Sequence, residues 1–176
     1  MPVRSTGSRR APLPLYTAEE RRRRDATRWT LVQGVLAPVQ FLVFLVSAAL
    51  VLRWFATHDG LALAQGSVVL KTLLLYAIMV TGSVWERVVF GRWLFARPFF
   101  WEDVVSLLVL ALHTAYLVAW FASLGTPAEQ LALALAAYAA YVVNAAQFLW
   151  KFRAARLEAP RETLPGATAG LAGAAR

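Results

Sequence analysis

Residues 101–116 read WEDVVSLLVLALHTAY, a segment suited to lipid except for two adjacent carboxylates and a histidine. At 100° per residue, Glu102, Ser106, Val109, His113 and Tyr116 follow i, i+4, i+7, i+11, i+14 and stay on one narrow helical face. A single polar stripe therefore runs along an apolar rod. Ionisable groups are costly inside a bilayer and turn toward a bundle interior, a cavity or a partner. The stretch predicts one helix of an all-α integral membrane bundle, with the rest of the chain supplying the interior.

Composition points the same way. The 176 residues suffice for one domain, and 59% are hydrophobic while only 16% are charged, which is not a soluble balance. The net charge of +8 sits in clusters beside long apolar runs, so membrane lipid and not nucleic acid is the expected partner. With no cysteine there is no disulfide framework, thiolate metal site or cysteine nucleophile. The first apolar run begins only after Trp29 and lacks a small-residue cleavage site, so it should stay as an anchor.

Working outward, residues 1–28 form a basic arm, partly disordered, in which Thr17 and Glu20 fit a capping box that starts a short surface helix. Residues 29–158 hold four predicted spans, about 31–52, 68–85, 104–124 and 131–150, and residues 159–176 form a disordered tail. Pro38 marks a kink point in the first span, where Gln33, Gln40 and Ser47 share a face at heptad spacing. Thr57 to Gly60 read as a turn that leaves His58 solvated. In the second span, Thr72, Tyr76, Met79, Ser83 and Glu86 repeat the stripe spacing, while Lys71 is expected to snorkel to the outer interface. Phe90 to Trp101 reads as an aromatic interfacial loop. It leads into a helix whose positive end suits Glu102 and Asp103, the purely structural account of the acidic pair. The alanine-rich fourth span allows close helix approach. With both termini cytoplasmic, 16 of the 18 Lys and Arg residues fall on the inner side, as the positive-inside rule requires.

This topology sorts the polar residues into two layers. Gln33, Glu86, Glu102, Asp103, Gln147 and Lys151 fall in a cytoplasmic layer, and Gln40, Tyr76, His113, Tyr141 and Asn144 near mid-depth. No phosphate loop, dinucleotide fingerprint, nucleophile elbow or paired-histidine zinc motif is present. A lone intramembrane histidine can ligate the metal of a tetrapyrrole, donate a hydrogen bond or exchange protons.

WTLVQGVLAPVQFLVFLVS from Trp29, KTLLLYAIMVTGSVWE from Lys71, FFWEDV from Phe99, ALHTAY from Ala111 and NAAQFLWKFRAARLE from Asn144 together resemble the 3-vinyl bacteriochlorophyllide hydratase family of phototrophic bacteria. The resemblance covers about residues 16–158. It implies a hydro-lyase of bacteriochlorophyll biosynthesis in the bacterial inner membrane, adding water across the ring A vinyl group of a chlorophyllide to give a 1-hydroxyethyl group. It implies no cofactor, since hydration is not a redox step and the magnesium belongs to the tetrapyrrole substrate.

The resemblance assigns no catalytic residue, so the roles come from the chemistry. Protonating the terminal vinyl carbon leaves a cation beside the ring, which water captures. That needs a protonated acid, nearby negative charge and controlled water, and burial and a second carboxylate both favour the protonated form of a carboxyl group. Glu102 is the first choice for the acid and Glu86 the second, while Asp103 caps its helix or orients Arg92 or Arg97. Those arginines are also candidates to hold the substrate propionate. His113 lies eleven residues from Glu102, about 16 Å along a helix. If it is the axial ligand of the substrate magnesium, Glu102 is too far from the same vinyl group, and Tyr76 or Gln40 must position the proton donor or the water. If the ring sits in the cytoplasmic layer, as its carboxylate favours, His113 is a helix contact or a deeper pocket wall. Asn144 and Tyr116 complete the substrate-facing set. Two other classes compete: a noncatalytic pigment-binding subunit of a photosynthetic complex and a small proton-coupled transporter. Homo-oligomers and docking to other pigment-pathway enzymes both stay open.

Overall fold

The computed structural model describes residues 15–158, whose regular structure is helical: α1 (Ala18–Ala26), α2 (Arg28–Thr57), α3 (Leu61–Phe90), α4 (Phe100–Phe121) and α5 (Pro127–Glu158). The expectations for residues 1–14 and 159–176 lie outside the described residues. Helices α2 to α5 are each long and apolar enough to cross a membrane.

These helices run past the predicted spans because their caps lie further out. His58, left-handed at φ 57°, ends α2, and Gly60 at φ 80° opens α3, so the connection shrinks to three residues. Gly91 ends α3 at φ 78°, a conformation that costs glycine little. Pro38 does not interrupt α2, which continues as one helix from Arg28 to Thr57.

The capping box of α1 is present in full. The Thr17 hydroxyl accepts the Glu20 N–H at 3.2 Å, and the Glu20 carboxylate accepts the Thr17 N–H at 2.7 Å. The Arg24 guanidinium lies 4.7 Å over the Tyr16 ring, and burial pushes the Tyr16 phenol pKa up, so it stays neutral. Removing the Thr17 cap should cost about 1 kcal/mol of local stability. Amide exchange in α1 of Thr17→Ala should therefore speed up roughly fivefold with α2 to α5 unchanged, as measured by hydrogen exchange.

The buried residues follow alternating steps of four and three, the period that keeps an apolar seam facing a partner helix. On α2 they are Gln40, Phe44, Ser47, Val51 and Trp54. On α4 they are Glu102, Ser106, Val109, His113 and Tyr116, with Asp103 beside Glu102. The predicted α4 stripe is thus its inward face. On α3 the inward face runs through Ala64, Val68, Lys71, Leu75 and Glu86. Tyr76, Met79 and Ser83 lie at its margin and are only half-buried.

Helices α2 and α3 form one hairpin and α4 and α5 another, each packed along its length, with a thinner seam between the two. The larger apolar core contains Phe44, Val68, Leu75, Val109, Tyr116, Tyr138 and Tyr141. A smaller one at the far end of α3 contains Tyr16, Val89 and Phe99, with Trp85, Phe90 and Phe148 against it. Polar residues fill the level between these cores. The bundle exterior is apolar, with Leu42, Val46, Val80, Phe121 and Trp150 all exposed.

Candidate functional site

Three carboxyl groups meet where α3, the 91–99 connection and the start of α4 converge. Glu86, Glu102 and Asp103 are each at most 6% exposed. Glu86 and Asp103 accept from the backbone N–H groups of consecutive residues, so their carboxyls are neighbours, and two buried carboxyls side by side hold one proton more readily than two negative charges. Each is thus held by the connection: the Ala96 N–H donates to Glu86 at 3.1 Å, and the Phe95 N–H donates to Asp103 at 2.7 Å. The aromatic stretch is therefore a backbone clamp over the acidic pair, with Ala96 and Phe99 buried, and not simply an interfacial loop.

Asp103 does not cap α4. The cap position is Phe99, with no side-chain bond, and the Asp103 carboxylate is spent on Phe95. Nor does it orient an arginine: Arg92 and Arg97 are exposed and pair with no described carboxylate. Glu102 has a different partner. Its carboxylate accepts from the Lys151 ammonium of α5 at 2.5 Å, and Lys151 also donates to the Pro98 carbonyl. A charge-assisted bond of this kind is stronger than one between neutral groups, and it commits the Glu102 carboxyl to Lys151.

One turn further into the bundle, the Asn144 amide donates to the Ser106 hydroxyl at 2.9 Å. Among the described residues, three buried side-chain atoms have no hydrogen-bond partner: Gln40 Nε2, Asn144 Oδ1 and Gln147 Oε1.

The second polar level lies deeper, within the larger core. His113 is fully buried, and its Nδ1 meets the Val109 carbonyl at 2.8 Å. Since a carbonyl only accepts, Nδ1 carries the proton and Nε2 is left with its lone pair. That lone pair accepts from the Lys71 Nζ at 2.9 Å. Lys71 does not snorkel outward: it is fully buried, with its Nζ 4.1 Å over the Tyr141 ring. A histidine acceptor and an aromatic face hold it inside more effectively than the interface draws it out. Nearby, Ser47 joins Tyr138 at 2.5 Å and Ser67 at 2.7 Å.

Of the remaining candidates, Tyr76 bonds Thr114 at 2.8 Å on the outer side of α3 and α4, and the Tyr116 hydroxyl donates to the Gln65 carbonyl at 3.4 Å. The structure thus brings together Glu86, Asp103, Glu102 and Lys151, with Asn144 near them, and sets His113 and Lys71 apart. Lys71 and Gln147 carry more of the polar interior than their sequence context showed. Lys71 had a visible signal, since Ala64, Val68, Lys71 and Leu75 keep the same step of four and three as the other inward faces.

The family model described as 2-vinyl bacteriochlorophyllide hydratase matches residues 16–154. The chain belongs to this family. A relative from Cereibacter sphaeroides with that name is 64% identical over 145 residues, covering 82% of this chain and 89% of the relative. Another from Rhodobacter capsulatus, with the same name, is 62% identical over 149 residues, covering 84% and 86%. No solved structure matches. The hydratase family match takes in all of the carboxyl level, the Lys71–His113 level and α1, and it agrees with the family that the sequence resembles.

Proposed function

We infer that this protein is a hydro-lyase that adds water across the ring A vinyl group of a chlorophyllide or bacteriochlorophyllide, giving the 1-hydroxyethyl product. The ring carbon that bears this vinyl group is numbered 2 or 3 according to the porphyrin nomenclature used. The observation that carries the mechanism is the buried carboxyl level between two apolar cores, at the seam of two hairpins. Such a site offers a proton donor shielded from bulk water beside a fixed negative charge.

The sequence favours Glu102 as the acid, but its contact with Lys151 moves the better assignment to the Glu86–Asp103 pair. In this reading the pair donates its proton to the terminal vinyl carbon, and the Glu102 carboxylate faces the cation that forms on the carbon beside the ring. Water adds there, and its surplus proton restores the carboxyl pair. The reaction is balanced without oxidant or reductant, so no resident cofactor is called for, and the magnesium arrives with the substrate. Arg92 and Arg97, exposed at the same end of the bundle, are placed to receive the substrate propionate. The His113 lone pair is already taken by Lys71, which disfavours axial ligation of the substrate magnesium and with it the pigment-binding alternative.

Four apolar helices with an apolar exterior support a multi-pass protein of the bacterial inner membrane. The arginine-rich α1 supports cytoplasmic termini and contact with anionic headgroups. Membranes containing the protein should convert 3-vinyl chlorophyllide to a pigment heavier by one water and absorbing at shorter wavelength, because a conjugated vinyl is lost. An unchanged pigment with folded protein present would refute the hydratase reading.

A further inference from the structure

Hydration consumes two substrates, and the second is water. The three unpartnered buried atoms are a donor on α2, Gln40 Nε2, and two acceptors on α5, Asn144 Oδ1 and Gln147 Oε1. Buried polar atoms are almost always paired, so three orphans in one part of a bundle call for an occupant. Asn144 and Gln147 are three residues apart on one helix, so their side chains are neighbours.

Gln40 reaches the same level from the other hairpin. The ring centroids of Phe44 and Tyr141 are 4.9 Å apart and fix the register between α2 and α5, which run in opposite directions. Gln40 lies four residues from Phe44, and Asn144 three from Tyr141, in the same direction. Both therefore stand about 5 to 6 Å from that contact. The Asn144 amide is held in place by Ser106, and Ser106 is one turn from Glu102 on the inward face of α4.

We propose that Gln40, Asn144 and Gln147 form the binding site of the water molecule that becomes the product hydroxyl, an inference that rests on the hydratase reading. The hydrogen-bonding demands match one water: it accepts from the Gln40 amide and donates its two O–H groups to Asn144 Oδ1 and Gln147 Oε1. A buried water with two to four polar partners is an ordinary structural element. Held in this way, it keeps one lone pair free, and the two acceptors raise the electron density on its oxygen. The alkene π pair takes the proton from the carboxyl pair and forms the new C–H bond. The free lone pair of the water then forms the C–O bond, and one of its protons returns to the carboxylate.

The test uses the full-length protein in membranes with 3-vinyl chlorophyllide in D₂O. Gln40→Met, Asn144→Leu and Gln147→Met roughly keep side-chain size and delete the polar atoms, and Asn144→Leu also gives up its bond to Ser106. Each should slow hydration about 100-fold with tetrapyrrole affinity unchanged. The recovered vinyl pigment should have gained deuterium on its terminal carbon, because the uncaptured cation can only lose a proton again. Asn144→Asp, which keeps an acceptor oxygen, should hydrate faster than Asn144→Leu. Hydration at the unsubstituted rate in the apolar variants, or its loss together with pigment affinity, would overturn the proposal. So would loss of hydration without deuterium gain. If the unsubstituted protein binds pigment yet neither hydrates it nor exchanges deuterium, the hydratase reading itself falls.

Discussion

Glu86→Gln and Asp103→Asn should each slow vinyl hydration by about 10²- to 10⁴-fold, the usual contribution of a positioned general acid, while tetrapyrrole affinity stays within a few fold. Both changes keep an oxygen that can accept the Ala96 or Phe95 N–H, so the clamp formed by residues 95 and 96 is preserved. Each removes one carboxyl of the pair and with it the proposed proton donor. Glu102→Gln should be milder in turnover, because it weakens the charge facing the cation but leaves the donor. Single-turnover rates of the three variants, measured beside pigment-binding titrations, separate these roles. Wild-type turnover in Glu86→Gln and Asp103→Asn with an inactive Glu102→Gln would return the acid to Glu102.

The second large effect concerns stability. His113→Leu leaves Lys71 Nζ without its hydrogen-bond acceptor inside the larger core, and Lys71→Met leaves the His113 Nε2 lone pair unmet. Breaking one side of a buried polar pair costs on the order of 3 kcal/mol, whereas replacing both sides with apolar groups costs much less. The double variant should therefore unfold at a higher temperature than either single variant. Pigment binding in the double variant should persist, since neither residue touches the carboxyl level. Stability losses that simply add would show that the two residues do not depend on each other. Loss of pigment binding in His113→Leu alone, with stability intact, would restore the histidine as a magnesium ligand.

The helical architecture was legible because burial and helical period coincide. The α4 stripe from Glu102 to Tyr116 is the inward face of its helix, and the Thr17 box caps α1. Of the candidate site, the sequence made legible the three acidic residues Glu86, Glu102 and Asp103, all of which are buried. Their partners were not, because pairings such as Lys151 with Glu102 join residues 49 apart on different helices. Such pairings depend on helix rotation, which a single helix's period leaves undetermined. Lys71 misled for a related reason. A lysine near a span end usually reaches for water, and only the histidine on a different helix shows why this one turns inward. The clamp over Glu86 and Asp103 comes from backbone N–H groups, which side-chain patterns do not encode.

In the proposed mechanism a solvent-exchangeable acid of this protein protonates the terminal vinyl carbon before water adds. That step is tested most directly by turning over 3-vinyl chlorophyllide with the full-length protein in D₂O and locating deuterium in the product. One non-exchangeable deuteron is expected in the new methyl group beside the hydroxyl-bearing carbon. A hydrated product with no deuterium in that methyl group, or a vinyl pigment that emerges unchanged, would contradict it.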